Sequence, residues 1–316
     1  MVAIDVQRLR KTYGDTVAVD DLSFTVDAGT VTGLLGPNGA GKTTAVNCLT
    51  TLIRPDGGTA VVAGHDVRRE PALVREQIAV TGQSTALDAQ LTGWQNLMVF
   101  GRLLGLDKRA ARARAAELVE RLDLGEVAGA VTATYSGGLR RRLDLAVSLL
   151  VPRPVLFLDE PTTGLDPRSR QQLWQLIREL RGEGRTILLT TQYLEEADEL
   201  ADHVLLVDGG RLRASGTPAE LKRGIGGTVC EIRLACDEDR GRALHVLTGL
   251  ASAKAGEEPV ITLPADQPGT VADVVRRLTE AGIGFEDVAM RGPTLDDVFF
   301  ALTDAQPAAA TAPAAR

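Results

Sequence analysis

The chain has 316 residues, 44% hydrophobic and 24% charged, with a formal net charge of −7 and a pI of about 5.2. That is the balance of an ordinary soluble globular protein long enough for two domains, and its acidic excess excludes a global basic field for nucleic acid. No apolar run reaches the roughly 20 residues a membrane span requires, since the longest, residues 146–158, is broken by Pro152, Arg153 and Pro154. The start, Met1-Val2-Ala3-Ile4-Asp5, has no basic-then-apolar signal pattern. Cys48, Cys230 and Cys236 form no metal spacing or disulfide framework, and His65, His203 and His245 are too scattered for a His-based metal or triad site.

Up to about residue 225, short apolar runs alternate with helical stretches. Strands are expected at residues 4–9, 22–26 and 31–35. Directly after the third, Gly36-Pro37-Asn38-Gly39-Ala40-Gly41-Lys42-Thr43 spells G-x-x-x-x-G-K-[ST], and a helix is expected over residues 44–52. Strand, loop and helix in this order are the context that a phosphate-binding loop needs. Its glycines let several backbone N–H groups converge on one anion, and the following helix adds its N-terminal partial charge. Lys42 is then expected to reach the β- and γ-phosphates of a nucleoside triphosphate, with the Thr43 hydroxyl completing the shell of a Mg²⁺ ion.

Further strands are expected at 60–63, 78–81, 155–159, 186–190 and 204–207; the inner ones are nearly continuous in Val, Leu and Ile, as strands covered on both faces should be. Between residues 91 and 150 only helices are expected, at 91–104, 108–122 and 136–150, so a helical insertion (about 85–150) interrupts the α/β core. The basic residues of Lys108-Arg109-Ala110-Ala111-Arg112-Ala113-Arg114 fall mostly on one helix face and read as a solvated face rather than a nucleic-acid patch. At Lys222-Arg223-Gly224-Ile225-Gly226-Gly227 the composition turns to glycine, which sets a boundary between domains 1–225 and 226–305. Beyond it, strands at 229–234, 260–263 and 285–290 alternate with helices at 240–250, 271–281 and 295–302, a small α+β domain. Residues 306–316 are alanine, proline and threonine and are expected to be disordered.

Two more motifs carry chemistry. Val155-Leu156-Phe157-Leu158-Asp159-Glu160 ends an apolar strand in two carboxylates. Asp159 is placed to hold Mg²⁺, directly or through water, and Glu160 to polarise an attacking water as general base. Tyr135-Ser136-Gly137-Gly138 opens a long helix and offers a second anion cradle of exposed amides and a hydroxyl.

In combination and order, these motifs resemble the ATP-binding subunit of an ABC transporter over residues 1 to about 225. The resemblance implies an α/β fold, a P-loop ABC-type nucleotide-binding domain with a helical insertion, and ATP with Mg²⁺ as ligands; the small C-terminal α+β domain lies beyond the part it covers. It implies that Tyr13 stacks on adenine, that residues Gly36 to Thr44 (Thr44 included) cradle the phosphates, and that Gln83 senses the γ-phosphate and Mg²⁺. Ser136 to Leu139 match the family signature, and Asp166 matches the loop that crosses between paired subunits. Leu139 replaces the usual signature glutamine and Tyr135 the usual leucine. Gln192, in Thr190-Thr191-Gln192-Tyr193-Leu194, replaces the switch histidine; glutamine donates a hydrogen bond but does not titrate as His does.

Tyr-Ser-Gly-Gly, the run Arg140-Arg141-Arg142, Thr-Thr-Gln-Tyr-Leu and the ending Gly292-Pro293-Thr294-Leu295-Asp296-Asp297-Val298-Phe299 are similar to daunorubicin-resistance-type exporter ATPases. This implies a head-to-tail pair with a second copy, a separate integral membrane permease, a peripheral place on the cytoplasmic face of the membrane, and no nucleic-acid partner. Leu295, Val298, Phe299 and Leu302 read as one apolar helix face packing on its own domain. A soluble ATP switch acting on ribosomes or nucleic acid, and a weakly hydrolysing drug-dependent regulator, are the alternatives.

Overall fold

β1 (Val2–Tyr13) and β2 (Thr16–Asp27) alternate buried and solvent-facing residues, sinking Ile4, Val6 and Leu9 on one strand and Leu22, Phe24 and Val26 on the other. In this computed structural model, which describes residues 1–82, 86–224, 228–248, 254–255, 260–265 and 269–303, the chain continues through β3 (Val31–Leu35), α1 (Lys42–Leu49), β4 (Gly57–Val62), β5 (His65–Asp66), α2 (Pro71–Gln77) and β6 (Ile78–Thr81). The helical insertion follows as α3 (Gly93–Leu103), α4 (Lys108–Arg121) and α5 (Gly137–Ser148). β7 (Val155–Asp159), α6 (Pro167–Gly182), β8 (Thr186–Thr191), α7 (Leu194–Leu200), β9 (His203–Asp208) and β10 (Arg211–Gly216) complete this part.

The strands form two sheets. One is antiparallel, in the order β2-β1-β4-β5; the other, β10-β9-β3-β8-β7-β6, is parallel except for its edge strand β10. Every residue of β3, β7 and β8 is buried, so both faces of the parallel sheet are covered. Leu34, Phe157, Leu188 and Leu205 pack in one core with Ile4, Leu22, Val46 and Leu49. Their neighbours Leu156, Leu158, Ile187 and Leu189 point the other way, into a core with Leu97, Leu118, Leu143 and Trp174.

The insertion's helices begin at strong caps. Thr92 and Gln95 form a reciprocal capping box on α3, Asp107 accepts from Ala110 N–H at α4, and Ser136 accepts from Leu139 N–H at α5. Tyr135 is buried, and its hydroxyl donates to the Val127 carbonyl at 2.5 Å. A Cβ at Gly93 would collide with that phenol, so the tyrosine that departs from the usual signature leucine is matched by a glycine beneath it.

The chain divides into two compact units, Met1–Pro218 and Ala219–Arg316, ahead of the glycine-rich stretch where the boundary was expected. After α8 (Pro218–Gly224), the second unit has β11 (Val229–Leu234), α9 (Arg240–Leu247), β12 (Lys254–Ala255), β13 (Val260–Pro264), α10 (Thr270–Glu280), β14 (Phe285–Arg291) and α11 (Leu295–Thr303). Its sheet runs β12-β13-β11-β14, all antiparallel, with a core of Cys230, Ile232, Leu247, Ile261, Val274 and Leu278. Arg291 bonds both Glu231 and Asp297 at 2.6 Å, and on α11 Leu295 and Val298 are buried while Phe299 and Leu302 are half-buried. Residues 306–316 lie outside the described residues. Among those described, no helix is long and apolar enough to cross a membrane, and all three cysteines are free.

Beneath α6, Trp174 Nε1 donates to Glu196 Oε1 at 3.1 Å, in a fully buried contact that leaves Glu196 Oε2 without a hydrogen-bond partner. Burial pushes the Glu196 carboxyl above its ordinary value. A raised folded-state value means this group's contribution to stability is fully present below about pH 4.3, its unfolded value, and is lost as pH rises through the folded one. Glu196→Gln should therefore gain stability relative to the wild type as pH rises, read as a widening difference between the two urea-unfolding free energies. Trp174→Phe removes the carboxylate's donor and should lower stability by about 1–3 kcal/mol in the same assay.

Candidate nucleotide-binding site

The register of the parallel sheet sets the site. Leu35 pairs with Thr191, Asp159 with Thr190, and Thr81 with Leu158. The loop from Gly36, Gln192, the pair Asp159-Glu160 and Gly82 therefore all leave the carboxyl ends of neighbouring strands at one edge, the usual binding edge of such sheets. Gln83 lies outside the described residues.

The loop at that edge is shaped by its glycines. Gly39 and Gly41 have φ of 82° and 97°, in the left-handed region where a side chain is strained. Gly36 lies so close to the Val207 carbonyl, and Gly41 to that of Ala18, that a Cβ at either would clash with backbone. Pro37, Asn38 and Gly39 are exposed at the tip, whereas Ala40 is buried and its carbonyl accepts from Gly210 N–H at 3.0 Å. Helix α1 starts at Lys42, two residues before the expected Thr44, and its N-cap Gly41 supplies no side-chain acceptor. The first-turn amides are thus left for an anion.

Lys42 is 4% exposed, and its ammonium donates to the carbonyls of Gly36 at 2.8 Å and Pro37 at 3.0 Å. Glu160 Oε1 stands 3.9 Å away. Burial lowers the ammonium's pKa, while Glu160 and then Asp159 pull it back up. Thr43 Oγ1 donates to Asp159 Oδ1 at 3.3 Å. A hydroxyl and a carboxylate, both hard oxygen donors, meet beside the loop, which fits a Mg²⁺ ion completed by phosphate oxygens and water. No larger metal-ligating cluster of His, Cys, Asp or Glu is present among the described residues.

Thr190 is the residue that sequence reasoning passed over. Wholly buried, it donates to Asp159 Oδ1 at 2.5 Å and accepts from the Glu160 N–H at 2.9 Å. Glu160 needs that hold: its φ of 47° is left-handed, which costs a non-glycine residue of order 1 kcal/mol or more. One hydroxyl thus orients the acid facing Thr43 and fixes the backbone of the one facing Lys42. Only an inspection of β-pairing finds it, because in sequence it is one more threonine in an apolar strand.

The remaining expected residues divide into two groups. Tyr13 is half exposed, with Lys11 Nζ 5.5 Å from its ring centre, and Gln192 is half buried one residue past β8. Gly137 and Gly138 instead approach Gly164, Leu165 and Ser169. Asp166 caps α6, accepting from Ser169 N–H at 2.9 Å and from its hydroxyl at 3.0 Å, bonds that hold its carboxyl below the usual range. A Cβ at Gly138 would press on Ser169, so the start of α5 is fitted to the Asp166 cap.

Thr190→Val, which keeps shape but removes both bonds, is expected to lower triphosphate turnover about a hundredfold with little change in nucleotide affinity. Thr190→Ser should recover most of it; steady-state kinetics with a nucleotide-binding titration checks both.

The sequence matches the ABC transporter family over residues 19–163. It is 52% identical over 302 residues to the daunorubicin resistance ATP-binding protein of Streptomyces coeruleorubidus, covering 95% of this chain and 96% of that protein. It is 50% identical over 310 residues to the doxorubicin resistance ATP-binding protein of Mycobacterium tuberculosis, covering 96% and 94%. Among solved structures, an ATP-binding subunit of an ABC transporter superposes with a TM-score of 0.64 at 27% identity, covering 70% of this chain and 92% of that one. The chain belongs to the ATP-binding proteins of the ABC transporter family, the subunits that hydrolyse ATP.

Proposed function

We propose that this chain energises the export of an anthracycline-like drug as one of two head-to-tail copies docked on a separate membrane permease at the cytoplasmic face. The observation that carries this is identity of half or more, over nearly the full length of both chains, with proteins named for daunorubicin and doxorubicin resistance. In this reading residues 1–225 form the ATP-binding domain and 226–305 a small accessory domain.

Tyr13 stacks on adenine through its exposed ring. The amides of Gly36, Pro37-Asn38-Gly39-Ala40-Gly41 and the first turn of α1, with Thr44, receive the phosphates, and Lys42 turns from the loop carbonyls to the β- and γ-phosphates. Thr43 and Asp159, with Gln83, would hold a Mg²⁺ ion, which would supply positive charge against the triphosphate. Glu160 takes the proton of the water that attacks the γ-phosphate, and Gln192 donates to a γ-phosphate oxygen. Gly137 and Gly138 lie beside Gly164 and Ser169 within their own chain; in this reading they and Ser136 serve the partner copy's nucleotide, with the Asp166 loop between. A solved dimeric ABC cassette of related fold is consistent with such pairing.

Lys42→Ala and Glu160→Gln are each expected to abolish drug efflux in cells carrying the permease, and Glu160→Gln to trap an ATP-bound dimer seen by size exclusion. Wild-type ATP turnover by Glu160→Gln would remove it from the base role; failure to co-purify with any multi-helix membrane protein would sink the exporter reading. Gln192→His should introduce a titration of turnover near pH 6.5 that the wild type lacks, read from the pH–rate profiles of the two proteins.

A further inference from the structure

One guanidinium ties together the backbone segments on which the acidic pair depends. Arg141, in the first turns of α5, donates from Nε to the Pro161 carbonyl at 3.0 Å, from Nη1 to Gly82 at 2.6 Å and from Nη2 to Asp159 at 2.8 Å. The carbonyls of Asp159 and Pro161 belong to the residues on either side of Glu160, whose backbone is left-handed. One helical turn further, Asp144 lies 3.7 Å from Arg141 Nη1 and accepts the Ala86 backbone N–H. Gly82 and Ala86 are the described residues that bracket positions 83–85.

Stability alone does not explain this pair. Its side chains are 11% and 9% exposed, and taking two charges out of water offsets most of their attraction. Burial pushes the Asp144 carboxyl up to about 6 in spite of Arg141, it lowers Arg141 as well, and Asp144 Oδ2 has no hydrogen-bond partner. What the arrangement gives is geometry. A planar fork makes bonds in fixed directions to three carbonyls from two separate stretches of the chain, which a lysine cannot copy. The helix that carries the fork starts at Ser136, Gly137 and Gly138.

We propose that Arg141 and Asp144 are positioning residues that make the alignment of Glu160, and of Gly82 and Ala86, depend on the attitude of α5. A tilt of that helix, as when its N-terminus engages a nucleotide, moves all three carbonyls together. The proposal rests on the assignment of Glu160 as general base.

The test uses the purified full chain with Arg141→Gln, Arg141→Lys, Asp144→Asn and Glu160→Gln, measuring kcat, KM for ATP and thermal melting. Arg141→Gln is expected to lower kcat tenfold or more with KM within about twofold of wild type, and to melt lower than wild type through the lost buried bonds while staying folded at the assay temperature, because positioning is lost while binding is not. Arg141→Lys, the milder variant, should show a smaller loss of the same kind, about threefold. Asp144→Asn should melt no lower than wild type and still lose kcat. Wild-type kcat in Arg141→Gln beside an inactive Glu160→Gln overturns the clamp alone. Parallel losses of kcat, KM and melting temperature in both Arg141 variants overturn it in favour of a scaffold role. Full activity in Glu160→Gln overturns the base assignment instead.

Discussion

Because side chains alternate along a strand, a slip of one residue between β7 and β8 would turn Thr190 away from the Asp159 carboxylate and into the opposite core. The pairing of Asp159 with Thr190, and of Leu35 with Thr191, is held by burial on both faces: Phe157 and Leu188 fill one core, Leu156, Ile187 and Leu189 the other. Each such side chain contributes roughly 1.5–3 kcal/mol when fully buried, so the register is fixed far more strongly than any polar contact at the edge could fix it. The loop from Gly36, the acidic pair and Gln192 are brought to one edge by apolar residues buried in the two cores.

Around that edge the electrostatics are poised rather than relaxed. Lys42 is enclosed and, among the described residues, is held by two loop carbonyls and a carboxylate at 3.9 Å, so its burial works against its charge. A polyanion entering the loop is attracted in a medium of low dielectric, where the interaction is far stronger than in water. The α1 amides, uncapped by any side chain, point the same way.

Much of this was legible in the residues. The strands at 31–35, 78–81 and 155–159 coincide with β3, β6 and β7 because a strand buried on both faces writes itself as an unbroken apolar run. β1 and β2 extend well past their expected bounds, since their outer residues are polar and bulges interrupt the alternation. β5, β10 and β12 were not expected: the first two are polar segments at sheet edges, and β5 and β12 are two residues long. At the site, glycines and acids advertised themselves by spacing. Thr190 and Arg141 did not, because each acts through a neighbour that only folding supplies, across β8 to β7 in one case and from α5 to three carbonyls in the other.

The left-handed backbone of Glu160 bears on how this chain would drift under artificial selection. Glycine occupies that conformation without strain, and asparagine more readily than glutamate. A library screened for thermal robustness alone would therefore be drawn to replace the carboxylate that stands 3.9 Å from Lys42. Glutamate at this position marks where the molecule holds a less comfortable residue for the sake of its chemistry, and a stabilised descendant would be recognisable by having let it go.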